Sequence, residues 1–91
     1  VYYSDILYIE GLKNYVIIHT EKRKIMTKIY LRTIDELLPS KIFFRINKSY
    51  IVNLKRIDSF DNNDVFIGKY EIAIGNAYRE EFYNIFMSRR I

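Results

Sequence analysis

Residues 43–53 read Phe43-Phe44-Arg45-Ile46-Asn47-Lys48-Ser49-Tyr50-Ile51-Val52-Asn53. Aromatic and β-branched side chains dominate both ends of this segment, and such residues favour β-strands. The polar triplet at residues 47–49 lies between the two apolar runs, as a turn would. The segment therefore predicts two strands, at residues 43–46 and 50–52, joined by a short polar loop.

Further short strands are predicted on both sides of this segment, from their apolar and alternating patterns. They are expected at residues 6–9, 15–20, 25–29, 56–60, 65–67 and 70–74. The first three should form an antiparallel meander with the polar residues 21–24 at a hairpin tip. Gly68 and Lys69 should supply the turn of the last hairpin.

Two short helices complete the prediction. Residues 30–38 carry apolar side chains at helical spacing, and Pro39 cannot continue that helix. Residues 77–87 place their aromatic side chains on one helix face, with Asn76 as the expected N-cap. The expected fold class is mainly β, with compact antiparallel sheets in a sandwich or barrel-like arrangement, in one domain over residues 1–91.

Composition argues against most classes of enzyme. The chain has 91 residues, no cysteine, one histidine and 3 glycines. It therefore lacks thiol chemistry, disulfides and cysteine-based zinc sites, and no nucleophile–base pair or phosphate-cradling glycine loop can be assembled. We expect no catalytic residue, no metal site and no cofactor. The absence of cysteine suits the cytoplasm, and no apolar run is long enough to span a membrane.

The basic residues are unevenly distributed. The formal net charge is +4, and no acidic residue occurs between Glu36 and Asp58. That interval contains five cations: Lys41, Arg45, Lys48, Lys55 and Arg56. They form a positive face for a polyanion if they lie together, or ordinary solvated surface charges if they do not. The triplet 47–49 likewise fits either phosphate and base contacts or a simple turn.

Residues 43–53 resemble the central signature of the LytTR DNA-binding domain family. Residues 5–11, followed by Asn14, resemble the first segment of that family, and residues 72–75 with Tyr78 and Arg79 resemble its closing segment. The resemblance extends over nearly the whole chain. One departure is Asn47, which stands where the family most often has histidine.

This resemblance implies the output domain of a response regulator in a two-component system, acting in transcription regulation. Such domains bind promoter DNA, often as pairs on direct repeats, and insert loops into successive grooves of the duplex. A receiver domain N-terminal to this segment and a dimer on DNA are expected from the family. The implied function is sequence-specific binding of double-stranded DNA.

Nine residues in and around the implied loops are the candidate DNA contacts. Base contacts are expected from Asn14, Asn76 and Arg79, because amide and guanidinium groups pair with adenine and guanine edges. Phosphate contacts are expected from Lys13, Asn47, Lys48, Ser49, Lys55 and Arg56. Asn76 has a competing use as a helix cap, and Arg45 fits either a structural or a binding role.

Two other functions remain open on the sequence. A single-strand or RNA-binding β-domain would use Tyr50, Phe66 and Tyr70 as a stacking platform. A protein-interaction module would use a sheet edge or an apolar face. Preference for duplex over single strands, and the salt dependence of binding, would separate these functions.

Overall fold

A computed structural model describes residues 1–88, which form two antiparallel sheets and two α-helices. The strands are β1 (Ile6–Gly11), β2 (Val16–Thr20), β3 (Lys24–Thr27), β4 (Phe43–Arg45), β5 (Tyr50–Asn53), β6 (Ser59–Phe60), β7 (Asp64–Ile67) and β8 (Tyr70–Ala73). The helices are α1 (Leu31–Leu37) and α2 (Arg79–Ser88). Short 3₁₀ turns cover Tyr3–Asp5, Leu54–Arg56 and Asn76–Tyr78. The predicted mainly-β fold class with two short helices is confirmed.

The larger sheet has five strands in the order β3-β2-β1-β5-β4, and the smaller sheet has three in the order β6-β7-β8. The predicted meander of the first three strands is confirmed. Strand β1 lies at the centre, where Tyr8 pairs with His19 on one side and Val52 on the other. The pairing register shifts between Ile6 and Tyr8, and the neighbouring residues Leu7 and Tyr8 lie in one apolar cluster whereas Ile6 and Ile9 lie in the other.

Two apolar clusters cover the two faces of the larger sheet. On one face, Tyr8 and Val52 pack in a cluster with Val65 of the smaller sheet and Phe82 of α2. On the other face, Ile9 and Ile51 share a cluster with Leu31 of α1. The larger sheet is therefore the middle layer of the fold, and alternate residues of its strands point into different clusters.

The predicted strand at residues 56–60 is wrong over most of its length. Leu54–Arg56 is a 3₁₀ turn, and the strand contains Ser59 and Phe60 only. The side chain of Asn53 explains the change, because its oxygen accepts a hydrogen bond from the Lys55 amide at 2.9 Å. Its amide nitrogen donates to the Ile6 carbonyl oxygen at 2.8 Å, so Asn53 has a structural role at the end of β5.

The hairpin of β7 and β8 turns at Gly68, whose φ of 56° lies in the left-handed region that favours glycine. This confirms the predicted turn. Helix α1 is stopped before Pro39, as expected from the missing amide hydrogen of proline. Within residues 1–88, no helix is both long enough and apolar enough to cross a membrane.

Candidate nucleic-acid interface

Three connections meet at one end of the larger sheet. They are loop A (residues 12–15), loop B (residues 46–49) and loop C (residues 74–78). The Gly11 amide, at the start of loop A, donates to the Ser49 carbonyl oxygen of loop B at 2.7 Å. The Gly75 amide of loop C donates to the Ile46 carbonyl oxygen of loop B at 2.9 Å. Loop B thus lies between the other two, and we call this surface the three-loop end.

Gly75 permits the close approach of loops B and C, and Gly11 permits the close approach of α1 to the end of β1. A Cβ atom on Gly11 would stand 2.8 Å from the side chain of Leu31. A Cβ atom on Gly75 would stand 2.9 Å from the ring of Tyr78 and 3.2 Å from the Cβ of Asn47. Such distances are shorter than van der Waals contact, so a side chain at either position would force its neighbours apart.

Loop A presents two polar side chains to solvent. The Leu12 amide donates to the Tyr15 carbonyl oxygen at 2.9 Å, which leaves Lys13 and Asn14 at the exposed tip. Within residues 1–88, the side-chain amide of Asn14 has no hydrogen-bond partner. Its donor and acceptor are therefore both available to an external partner such as a base edge.

Loop B is fixed from inside by Asn47 and presents Lys48 and Ser49 outside. The Asn47 side chain donates to the Ala73 carbonyl oxygen at 2.7 Å and accepts from the Ser49 amide at 2.8 Å. Ile46 is fully buried and anchors the loop, whereas Lys48 and Ser49 are exposed. The ammonium and hydroxyl groups of those two residues suit phosphate oxygens.

Loop C contains Asn76, and its conformation is stabilised by hydrogen bonds from Arg79, the first residue of α2. The guanidinium of Arg79 donates to the side-chain oxygen of Asn76 at 2.7 Å and to the Asn62 carbonyl oxygen at 2.8 Å. Asn76 begins a 3₁₀ turn, and α2 starts only at Arg79, so the predicted N-cap role of Asn76 is wrong. Its oxygen accepts from Arg79 instead of from the helix backbone.

A shallow groove of 580 Å³ runs between loops B and C. It is lined by Asn47, Lys48, Ser49, Tyr50, Ala73, Gly75, Asn76, Ala77 and Tyr78. Its rim carries a cation, a hydroxyl and an amide, and no carboxylate is among the lining residues. The exposed lining of the groove is mostly apolar, and Lys48 and Ser49 supply the groups at its edge that suit a phosphate.

The sequence matches the LytTr DNA-binding domain family over residues 1–87. The chain belongs to this family. Its fold is similar to a solved LytTr DNA-binding domain from a Bacillus cereus protein described as a methyl-accepting/DNA response regulator. That similarity has a TM-score of 0.84 at 21% sequence identity and covers 94% of this chain and 84% of the other. No curated protein matches the chain. The LytTR family is a DNA-binding rather than a catalytic one.

Most of the predicted contacts of this LytTR domain lie in loops A, B and C or directly beside them. They are Lys13, Asn14, Asn47, Lys48, Ser49, Asn76 and Arg79. Lys55 and Arg56 are elsewhere, because they follow β5 whereas loop B precedes it. Arg56 donates to the Ser4 carbonyl oxygen at 2.7 Å and pairs with Glu21 of the β2–β3 turn. Lys55 and Arg56 therefore lie at the opposite end of β5 from Lys48.

Carboxylates border loop C on the side of the smaller sheet. Backbone amides of Asn63 and Asp64 donate to Asp61 at 2.8 Å, and these bonds lower the pKa of the Asp61 carboxyl. The pKa of Glu71 is raised by a hydrogen bond and charge repulsion from Asp64. The Asp61 carboxylate is therefore negatively charged at neutral pH, and it repels a phosphate on this side of loop C.

An aromatic cluster lies between the two sheets beneath loops A and B. The ring of Tyr8 stacks on His19 at 4.2 Å and lies 5.1 Å from the ring of Tyr70. Burial raises the pKa of Tyr8 to about 12. Burial also raises the pKa of Tyr50, and the nearby Glu10 adds to the shift. His19 is buried, and its Nε2–H donates a hydrogen bond to the Glu10 carboxylate at 3.1 Å, in line with a packed structural histidine.

Sequence reasoning did not find the residues that hold the loops together. Gly11 and Gly75 carry no polar side chain, and their backbone hydrogen bonds to loop B are with residues remote in sequence. The structural role of Arg45 was left open, and its contacts with loop B appear only in the folded chain. The acid-free interval in which Arg45 lies was the one available signal.

Proposed function

We propose that this LytTR domain binds double-stranded DNA sequence-specifically through the three-loop end, as the output module of a transcriptional response regulator. The observation that carries the proposal is the pair of backbone hydrogen bonds that join loop B to loop A and loop C. Exposed cationic and amide side chains lie in the loops that these bonds join, next to a groove without carboxylates. A duplex offers phosphates and base edges side by side.

Different side chains of the loops make different kinds of contact with DNA. Lys13 and Lys48 bind phosphates, with Ser49 as a hydroxyl donor, and supply most of the affinity. Asn14 reads a base, because its amide is exposed and unengaged. Three other candidates already form side-chain hydrogen bonds inside the protein, namely Asn47, Asn76 and Arg79. Contacts from them to DNA use the remaining hydrogen-bonding capacity of those groups.

The wider assembly follows from the same proposal. The domain acts in the cytoplasm, attached to an N-terminal receiver domain. Two copies bind direct repeats in the DNA, and they form a dimer if the two copies touch. The description of the similar Bacillus cereus protein as a response regulator supports the regulatory role. No cofactor, metal or catalytic residue takes part.

Replacing Lys48 tests the use of the three-loop end. With about 4–6 phosphates neutralised, log affinity for duplex DNA falls with log salt at a slope of roughly −4 to −5. Lys48→Ala weakens binding to every duplex alike and reduces the steepness of that slope by about one unit. Fluorescence anisotropy titrations at several salt concentrations measure both quantities.

Lys55→Ala is the matched control, because it removes the same charge from an exposed lysine at the other end of β5. It leaves the slope within about 0.3 units of the wild-type slope, since distant charges are screened at physiological salt. Equal effects of the two substitutions would contradict the proposal. Tighter binding to single strands than to duplex would favour a single-strand-binding domain instead.

A further inference from the structure

The carbonyl oxygens of loop B all accept hydrogen bonds from other parts of the protein. The Ile46 oxygen accepts from Gly75, and the Ser49 oxygen accepts from Gly11. The remaining two oxygens, on Asn47 and Lys48, are taken by the side chain of one residue, Arg45. A loop whose carbonyl oxygens all accept hydrogen bonds within the protein leaves none of them unpaired to repel a phosphate.

The contacts of Arg45 are well defined. Its Nε donates to the Asn47 carbonyl oxygen at 3.3 Å, and its Nη2 donates to the Lys48 carbonyl oxygen at 2.6 Å. The fixed fork of the guanidinium suits two acceptors at once, which a lysine ammonium does not match. Arg45 also ends β4, so the strand holds the base of its side chain in place.

The surroundings of Arg45 disfavour a phosphate. Arg45 lines a groove of 430 Å³ together with Asp35 and Glu81. Its charge opposes the burial that raises the pKa of Asp35, which shows that the two groups interact. A phosphate approaching from this groove meets two carboxylates, whereas one approaching Lys48 meets the groove between loops B and C.

We propose that Arg45 is a positioning residue for DNA binding: its hydrogen bonds to the Asn47 and Lys48 carbonyls hold loop B so that Lys48 and Ser49 face the phosphates, and it does not itself contact DNA. The proposal rests on the proposed function, since it assigns a role within the same site. The loss of duplex affinity on replacing Arg45 should therefore depend on whether Lys48 is present. This coupling between the two residues can be measured.

A double-mutant cycle tests this dependence. Arg45→Met and Lys48→Ala each weaken duplex binding about tenfold, as residues of one hydrogen-bond network commonly do. Because both act through the same phosphate contact, the double variant is also about tenfold weaker rather than a hundredfold. Arg45→Lys weakens binding like Arg45→Met although it keeps the charge, because an ammonium does not hold both carbonyls.

Arg23→Lys and Arg23→Met are the matched controls, because Arg23 is an exposed arginine in the β2–β3 turn, at the far end of the sheet. They leave affinity unchanged. Additive losses for Arg45→Met and Lys48→Ala, or wild-type affinity for Arg45→Lys, would overturn the proposal and point to a direct phosphate contact. Failure of the wild-type domain to bind any duplex would instead overturn the proposed function, and this inference with it.

Hydrogen exchange in the wild-type protein decides the question without a substitution, should the Arg45 variants fail to fold. The Nε–H of Arg45 stays protected from exchange, with an unchanged NMR signal, when duplex DNA is added. A large shift of that signal on DNA binding, or its loss of protection, would show that the guanidinium leaves loop B for the DNA.

Discussion

At the scale of single residues, three asparagines in the loops differ in what their amides already bind. Asn47 is bonded to Ala73 and Ser49, and Asn76 is bonded to Arg79. Asn14 alone of the three has a side-chain amide without a partner in the described part of the chain, residues 1–88. Base reading requires a free donor and acceptor, so Asn14 is the strongest candidate for it.

Asn14→Ala should therefore cost about 1–3 kcal/mol of binding free energy on the preferred duplex. The loss on a scrambled duplex should be much smaller, because phosphate contacts do not depend on sequence. Titrations of both duplexes at one salt concentration measure the difference. Equal losses on the two would rule out base reading by this residue.

Residue types alone could not reveal which candidates are engaged inside the protein. The partner of Asn47 lies 26 residues away, and the partner of the Arg79 Nε lies 17 residues away. Such pairs arise from tertiary packing, which local sequence patterns do not encode. The sequence pattern groups Lys55 and Arg56 with Lys48 as phosphate contacts for the same reason. An acid-free interval does not show which end of a strand each cation occupies.

At the scale of elements, periodicity predicted most strands and both helices because these elements bury one face. Residues 65–67 and 70–74 alternate and form β7 and β8 nearly as expected. Residues 56–60 alternate too, but the Asn53 side chain caps a 3₁₀ turn there. A local side-chain bond thus outweighed a weak strand preference.

The contact between loops B and C depends on the missing side chain of Gly75. Gly75→Ala should push Asn47 and Tyr78 away, at a cost of about 1–3 kcal/mol in unfolding free energy, typical for overpacking. Because the groove between the loops is distorted, duplex affinity should fall as well. Denaturant titration and anisotropy measure the two effects.

Gly68→Ala is the control for this prediction. Its φ of 56° disfavours alanine, yet no atom lies within 4 Å of the added Cβ. It should lose about 1–2 kcal/mol of stability through backbone strain alone, with duplex affinity unchanged. If Gly75→Ala binds duplex as tightly as Gly68→Ala does, the close contact of loops B and C is not needed for binding.

At the scale of the whole molecule, the two sheets carry different charges. Acidic residues are frequent on the smaller sheet and at the start of α2, namely Asp58, Asp61, Asp64, Glu71, Glu80 and Glu81. Most of the lysines lie on the larger sheet and its connections. A duplex should therefore run over loops A and B and end at loop C, where the Asp61 carboxylate borders the surface.

The most direct test of the three-loop end is an NMR titration of the wild-type domain with a duplex selected from a random library. We predict the largest changes in backbone amide shifts in loops A, B and C and small changes at residues 21–24 and 54–56. Changes concentrated at residues 21–24 and 54–56, or on the outer face of the smaller sheet, would contradict the account.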